Sequence, residues 1–196
     1  MCNLLLPFKA ARKVSTPLIA LRTPDPAATL TTLVLGFEEN PPAFVQWDCV
    51  RGLSGLNPAG NAALVALGSE VEEISQNPVE ALILATKLPD RAILFLHNAH
   101  RYIEQPGVAQ AVWNLRDLYK ANKRTLVLLC PILSLPPELA QDVWLLEETL
   151  PGQAQLATLV RTQYEYAQVA VTLPELTEET VLHAVDATIE IGRAHV

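Results

Sequence analysis

Arg91-Ala-Ile-Leu-Phe-Leu-His-Asn-Ala-His100 is the stretch on which the reading of this chain turns. Pro89-Asp90 introduces it, every residue from Ala92 to Leu96 is apolar, and polarity returns at once with His97 and Asn98. So short a continuous apolar run predicts a strand buried on both faces, as in the middle of a parallel sheet. Helices must cover such a sheet, and ligands gather beyond the carboxyl ends of its strands. The edge carrying His97, Asn98 and His100 is therefore the first candidate site.

Working downstream, Val108, Ala111, Val112, Leu115, Leu118 and Tyr119 recur at spacings of three and four, which predicts an amphipathic helix. Thr125-Leu-Val-Leu-Leu-Cys-Pro131 reads as a second fully buried strand. Pro136 to Ala140 reads as a short helical turn and Val143 to Leu146 as a last strand. A long helix follows from Gly152, carrying Leu156, Leu159, Val160, Tyr164 and Ala167, and another begins near Thr177.

Upstream, Asn77-Pro-Val-Glu80 opens a helix ending near Leu88, because proline is well tolerated in a first turn. Leu53 to Gly60 reads as a loop, and Ala43 to Val50 as a strand. Thr23-Pro-Asp-Pro-Ala27 starts a helix running to about Phe37, with Thr23 or Asp25 as its cap. Thr16 to Thr23 is the first strand, and Asn3 to Val14 reads as a short helix in spite of Pro7. Strands alternating with helices imply an α/β fold with a mainly parallel sheet of about five strands, flanked by helices. The two apolar runs should be neighbours at its centre.

Composition narrows the class. At 196 residues the chain suits one domain with a substantial core, and 50% apolar against 18% charged residues excludes disorder. A net charge of −7 argues against coating nucleic acid or an anionic membrane. No apolar run approaches the length of a bilayer span, and no signal core is present, so a cytoplasmic protein is expected. The three cysteines, Cys2, Cys49 and Cys130, form no C-x-x-C pair, and Cys49 and Cys130 read as small buried hydrophobes.

A phosphate-binding loop, G-x-x-x-x-G-K-[ST], belongs between a first strand and its helix. Here that junction is Arg22-Thr-Pro-Asp-Pro-Ala27, without glycine or lysine and with prolines that remove amide donors. His97 and His100 stand three apart, but a metal would require a third ligand and no acid follows before Glu104, so they read as polar residues closing a strand. Asp48 and Asp90 read as turn acids, and Ser54 and Ser134 lack the setting of a nucleophile.

The ordered series Trp47-x4-Gly52-Leu53, Ala92 to His100, Leu126-Val-Leu-Leu-Cys-Pro-Ile-Leu133, Leu135-Pro-Pro-Glu-Leu139 and Leu150-Pro151 resembles one family. It is similar to the amino-terminal domain of AAA-family ATPases that are bacterial and phage relatives of a conserved chloroplast and cyanobacterial open reading frame. The resemblance implies a P-loop-NTPase-like (RecA/AAA-like) fold over residues 1–173 and the start of a helical lid or linker over 174–190. It implies that the strand at Ala92–Leu96 should end in magnesium-holding acids, where His97 and Asn98 stand, and that a polar sensor belongs where Cys130 stands. It implies a degenerate, non-catalytic domain whose ATP and magnesium belong to a following ATPase module. That module and further copies of the chain are then its partners, with assembly or regulation as its role. The last residues, 191–196, read as a tail foreign to the protein. Two other readings stand beside this one: a free-standing α/β enzyme or ligand-binding domain using the edge at His97–His100, and a structural partner-binding domain. A pocket uniting His97, His100 and Asp48 would favour the enzyme, and an exposed apolar patch on the helix carrying Tyr164 would favour partner binding.

Overall fold

The computed structural model of the chain describes residues 4–37, 40–68, 71, 75–148, 152–171 and 173–194, the side chains of 170 and 190–194 excepted. It divides into two compact units, residues 1–148 and 149–196. In the first unit, α1 (Leu5–Lys13), β1 (Leu18–Arg22), α2 (Pro26–Leu35), β2 (Phe44–Asp48), β3 (Gly52–Gly55) and α3 (Pro58–Leu67) come in that order. They are followed by α4 (Pro78–Ala85), β4 (Ile93–Leu96), a 3-10 turn (Ala99–Arg101), α5 (Pro106–Ala121), β5 (Thr125–Cys130) and β6 (Trp144–Glu147).

The sheet order is β3-β2-β4-β5-β1-β6, and every pairing is parallel except β2 with β3. The two apolar runs, β4 and β5, lie side by side at its centre, with Leu94 opposite Leu126 and Phe95 opposite Val127. Their alternation feeds two cores. Leu94 and Leu96 pack with Trp47, Val112, Leu115 and Tyr119 on one face, while Ile93 and Phe95 pack with Phe8, Leu30 and Leu33 on the other. Burial on both faces is why these runs are apolar but for Thr125, whose hydroxyl donates to the Thr16 carbonyl at 3.1 Å. In α5 the expected stripe is buried at Val108, Val112, Leu115 and Tyr119, whereas Leu118 sits at the stripe's margin, 37% exposed.

Among the described residues the sheet has six strands, and the stretch expected to be a loop holds both β3 and the start of α3. The hairpin arises because Asp48 Oδ1 accepts from the backbone N–H groups of Val50 and Arg51, each at 2.9 Å, and turns the chain. Gly52 then takes φ +69°, which disfavours any side chain. A four-residue strand with glycine at both ends offers no β propensity to read. Helix α3 begins as α4 does, with Asn-Pro: Asn57 Oδ1 accepts from the Gly60 N–H at 2.8 Å, as Asn77 Oδ1 does from Val79 at 2.9 Å. Gly60 is a packing residue, since a Cβ there would stand 2.0 Å from the Phe44 carbonyl oxygen. The helix thus lies directly on β2. Cys49 also departs from expectation: it falls in the hairpin turn and is exposed, while Cys130 is buried.

The second unit comprises α6 (Gln153–Ala170) and α7 (Glu178–Ala194). Tyr164 hydrogen-bonds the Pro174 carbonyl, and Arg161 pairs with Glu178 at 2.6 Å, which ties the two helices together. Residues 191–194 continue α7, while Leu150-Pro151 and 195–196 lie outside the described residues.

Candidate functional site

The carboxyl ends of β1, β4 and β5 are built by three junctions. At the first, Asp25 caps α2 with its own carboxylate, Oδ1 accepting from the Ala28 N–H at 3.0 Å. Pro26 occupies the first turn and brings no N–H. Thr23 and Thr29 place their hydroxyls 2.8 Å apart, and both donate to Glu148 Oε2, at 2.6 and 2.7 Å. Glu147, one residue earlier, pairs with Arg22. The first turn of α2 therefore already faces two carboxylates, Asp25 and Glu148, where an anion would otherwise collect.

At the second junction, the His97 backbone N–H extends the ladder to the Trp47 carbonyl at 3.0 Å, and its ring Nε2 donates to Gln46 Oε1 at 3.0 Å. Burial holds the His97 pKa below the ordinary value; Asp48 pulls it up and Arg51 pushes it down, without reversing that direction. Asn98 is exposed and adopts φ 52°, ψ 37°, a left-handed conformation that asparagine tolerates better than most residues. Its place at the strand end is explained by the turn it makes. At the third junction, Cys130 Sγ lies 3.8 Å from the Leu128 carbonyl, and burial pushes its thiol pKa up to about 11.

A groove of about 610 Å³ opens beside the first two junctions. Ala27, Leu30, Thr31 and Val34 of α2 form one wall, with Gln46, Arg51, Leu56 and His97 facing them. His100 and Asp48 do not line it, so the three residues whose convergence would favour an enzyme are not brought together. His100 sits in the 3-10 turn with its Nδ1 buried and unpartnered. Asp48 is engaged in the hairpin turn, as expected of a turn acid, and also pairs with Arg51 Nε at 2.6 Å. Among the described residues no group of three histidine, cysteine or carboxylate side chains could hold a metal ion. On α6, Tyr166 and Val169 are exposed apolar residues, 71% and 89% accessible.

Sequence reasoning did not find Gln46, Arg51, Thr29 or Glu148. Gln46 left a faint signal as the polar residue interrupting β2. Glu148 left none, because only the parallel pairing of β6 with β1 brings it to Thr23.

Because the His97 pKa is lower in the folded chain than in the unfolded one, the unfolded state binds the extra proton. The His97 contribution is complete above the ordinary histidine value of 6.5 and is lost as pH falls from there through the lowered folded value. Replacing His97 by Gln should flatten that slope, read from urea midpoints of the two proteins between about pH 7 and pH 5. Separately, a thiol reagent should modify exposed Cys49 in the native state and reach Cys130 only on unfolding.

A mostly parallel sheet in this order, flanked by helices, is the architecture of P-loop-type nucleotide hydrolases, AAA modules among them. The chain belongs to the SpoVK-like AAA ATPase N-terminal domain family, whose model matches residues 8–148. No curated protein matches it. Among solved structures it is similar to domain III of the Thermotoga maritima replication initiation protein DnaA, with a TM-score of 0.50 and 16% identity over 92% of this chain and 74% of that one. It is also similar to a chain of the Escherichia coli MS115-1 HORMA:CdnC:Trip13 complex, with a TM-score of 0.47 and 15% identity over 94% of this chain and 67% of that one. Among the described residues no helix is long and apolar enough to cross a membrane.

Proposed function

We propose that this chain is a non-catalytic AAA-like domain of a larger cytoplasmic ATPase, acting in the assembly or regulation of a following module that binds ATP and magnesium. The observation that carries this reading is the β1–α2 junction. An active junction offers a triphosphate a row of backbone N–H groups and a lysine. Here Pro24 and Pro26 have no N–H, the Ala28 N–H is taken by Asp25, and Glu148 adds a second negative charge. Beyond β4, His97 and Asn98 stand in place of acids for magnesium, and each has a structural occupation. On this reading α6 and α7 begin a helical lid or linker, and copies of the whole protein assemble together.

The test is the complete reading frame, compared with the same protein lacking residues 1–148, for ATPase rate and oligomeric state. The reading expects turnover chemistry to survive while assembly or its control changes. Loss of turnover with assembly intact would contradict it. The groove beside His97 favours a second reading, a ligand-binding domain, because its volume is that of small-molecule sites.

A further inference from the structure

Opposite the candidate site, at the amino-terminal ends of the strands, a groove of about 320 Å³ is lined by Lys9, Arg12, Lys13, Arg91, Lys123 and Phe37. Five cations meet there in a chain whose net charge is −7. They come from three separate segments: the last turns of α1, the residue pair before β4, and the turn before β5. Among the described residues none of the five has an acidic partner, although Arg22, Arg51, Arg116, Arg124 and Arg161 each do.

Arg12 is the floor of this groove. Its guanidinium donates to Thr125 Oγ1 at 2.9 Å and to the Arg91 carbonyl at 2.7 Å, so it is fixed in place by neutral acceptors. Burial first, and then the charge of Arg91, make its charged form costly. Lys9 lies over the Phe37 ring at 5.3 Å, which holds its ammonium at the rim. Arg91 and Lys123 are exposed and take φ 65° and 53°, a backbone that favours glycine or asparagine over a long cation. The two turns are joined by the Arg91 N–H to Asn122 carbonyl bond at 3.0 Å. Cations near a helix carboxyl terminus offset its dipole, and that accounts for Arg12 and Lys13. It does not account for the arrival of Arg91 and Lys123 at the same place.

We propose that this groove is a binding site for a small phosphorylated ligand, whose phosphoryl oxygens the five cations neutralise. Lysines act as mobile point charges and the arginine fork presents paired donors, a set suited to phosphate. The occupant is small for two reasons. The concavity has room for a few phosphoryl groups, and an extended polyanion such as nucleic acid would meet the net negative charge of the rest of the surface. A compact anion samples only the local field, within a screening length of about 8–10 Å.

The probe is sodium tripolyphosphate, titrated calorimetrically into the complete chain without magnesium. The variant is Arg91→Asn with Lys123→Asn, which removes two exposed charges while suiting the left-handed backbone, so folding is retained. The expected result is saturable binding that weakens by about tenfold or more in the variant, because two short-range Coulomb contacts are lost. Absence of binding, or binding unchanged in the variant, overturns the proposal. Duplex DNA or phosphatidylserine vesicles binding through the same two residues more tightly than tripolyphosphate would overturn the assignment to a small ligand.

Discussion

Replacing Trp47 by alanine should cost about 3–5 kcal/mol, the range for deleting a fully buried aromatic side chain. Trp47 is 0% exposed in β2, its ring meets Tyr102 edge-on at 5.3 Å, and its Nε1–H donates to the Ser75 carbonyl at 2.5 Å. Removing the indole leaves a cavity in the larger core and strands that carbonyl, two costs that add. Against a domain stability of about 5–15 kcal/mol, this change brings the fold close to its limit. Trp47→Phe separates the two contributions, since it keeps most of the apolar volume and loses the hydrogen bond; about 1–3 kcal/mol is expected. Urea melts followed by circular dichroism measure both. A loss below about 1 kcal/mol for the alanine variant would mean that Trp47 is not a core residue.

Leu94→Ala should cost about 2–5 kcal/mol. Leu94 is 1% exposed, paired between Val45 of β2 and Leu126 of β5, at the middle of the sheet. Neighbouring strands are held by their ladders and cannot close around the void. The matched control is Val65→Ala in α3, 81% exposed, for which about 0.5 kcal/mol or less is expected. Similar losses at the two sites would contradict the placement of β4 at the centre.

The parts of the fold legible in the sequence were those that bury the most apolar surface per residue. β4 and Leu126–Leu129 of β5 are wholly apolar because both faces are covered, and that is visible without any partner. The Val108–Tyr119 stripe was legible for the same reason. The β2–β3 hairpin was not, because it is made by an aspartate side chain and a positive-φ glycine rather than by hydrophobic pattern. Helix α3 was hidden by Gly60, which reads as loop until the closeness of the Phe44 carbonyl explains it.

The candidate site divides in the same way. The missing glycines and lysine at Arg22–Ala27 were visible in the sequence, as were His97 and Asn98 where acids would stand. Their local occupations were not, because Gln46 and Glu148 reach them only through strand pairing. Nor could spacing alone separate His97 from His100. The 3-10 turn that follows Asn98 carries His100 out of the groove's lining.

The central claim is that the carboxyl edge of β1, β4 and β5 does not accept a magnesium-bound triphosphate. Hydrogen exchange of the complete chain, with and without saturating magnesium-ATP, tests it at the site itself and separates that edge from the basic groove at the other end of the strands. The account predicts unchanged exchange at residues 22–30 and 97–101. Protection of those residues by magnesium-ATP, abolished on replacing His97 by Ala, would contradict it.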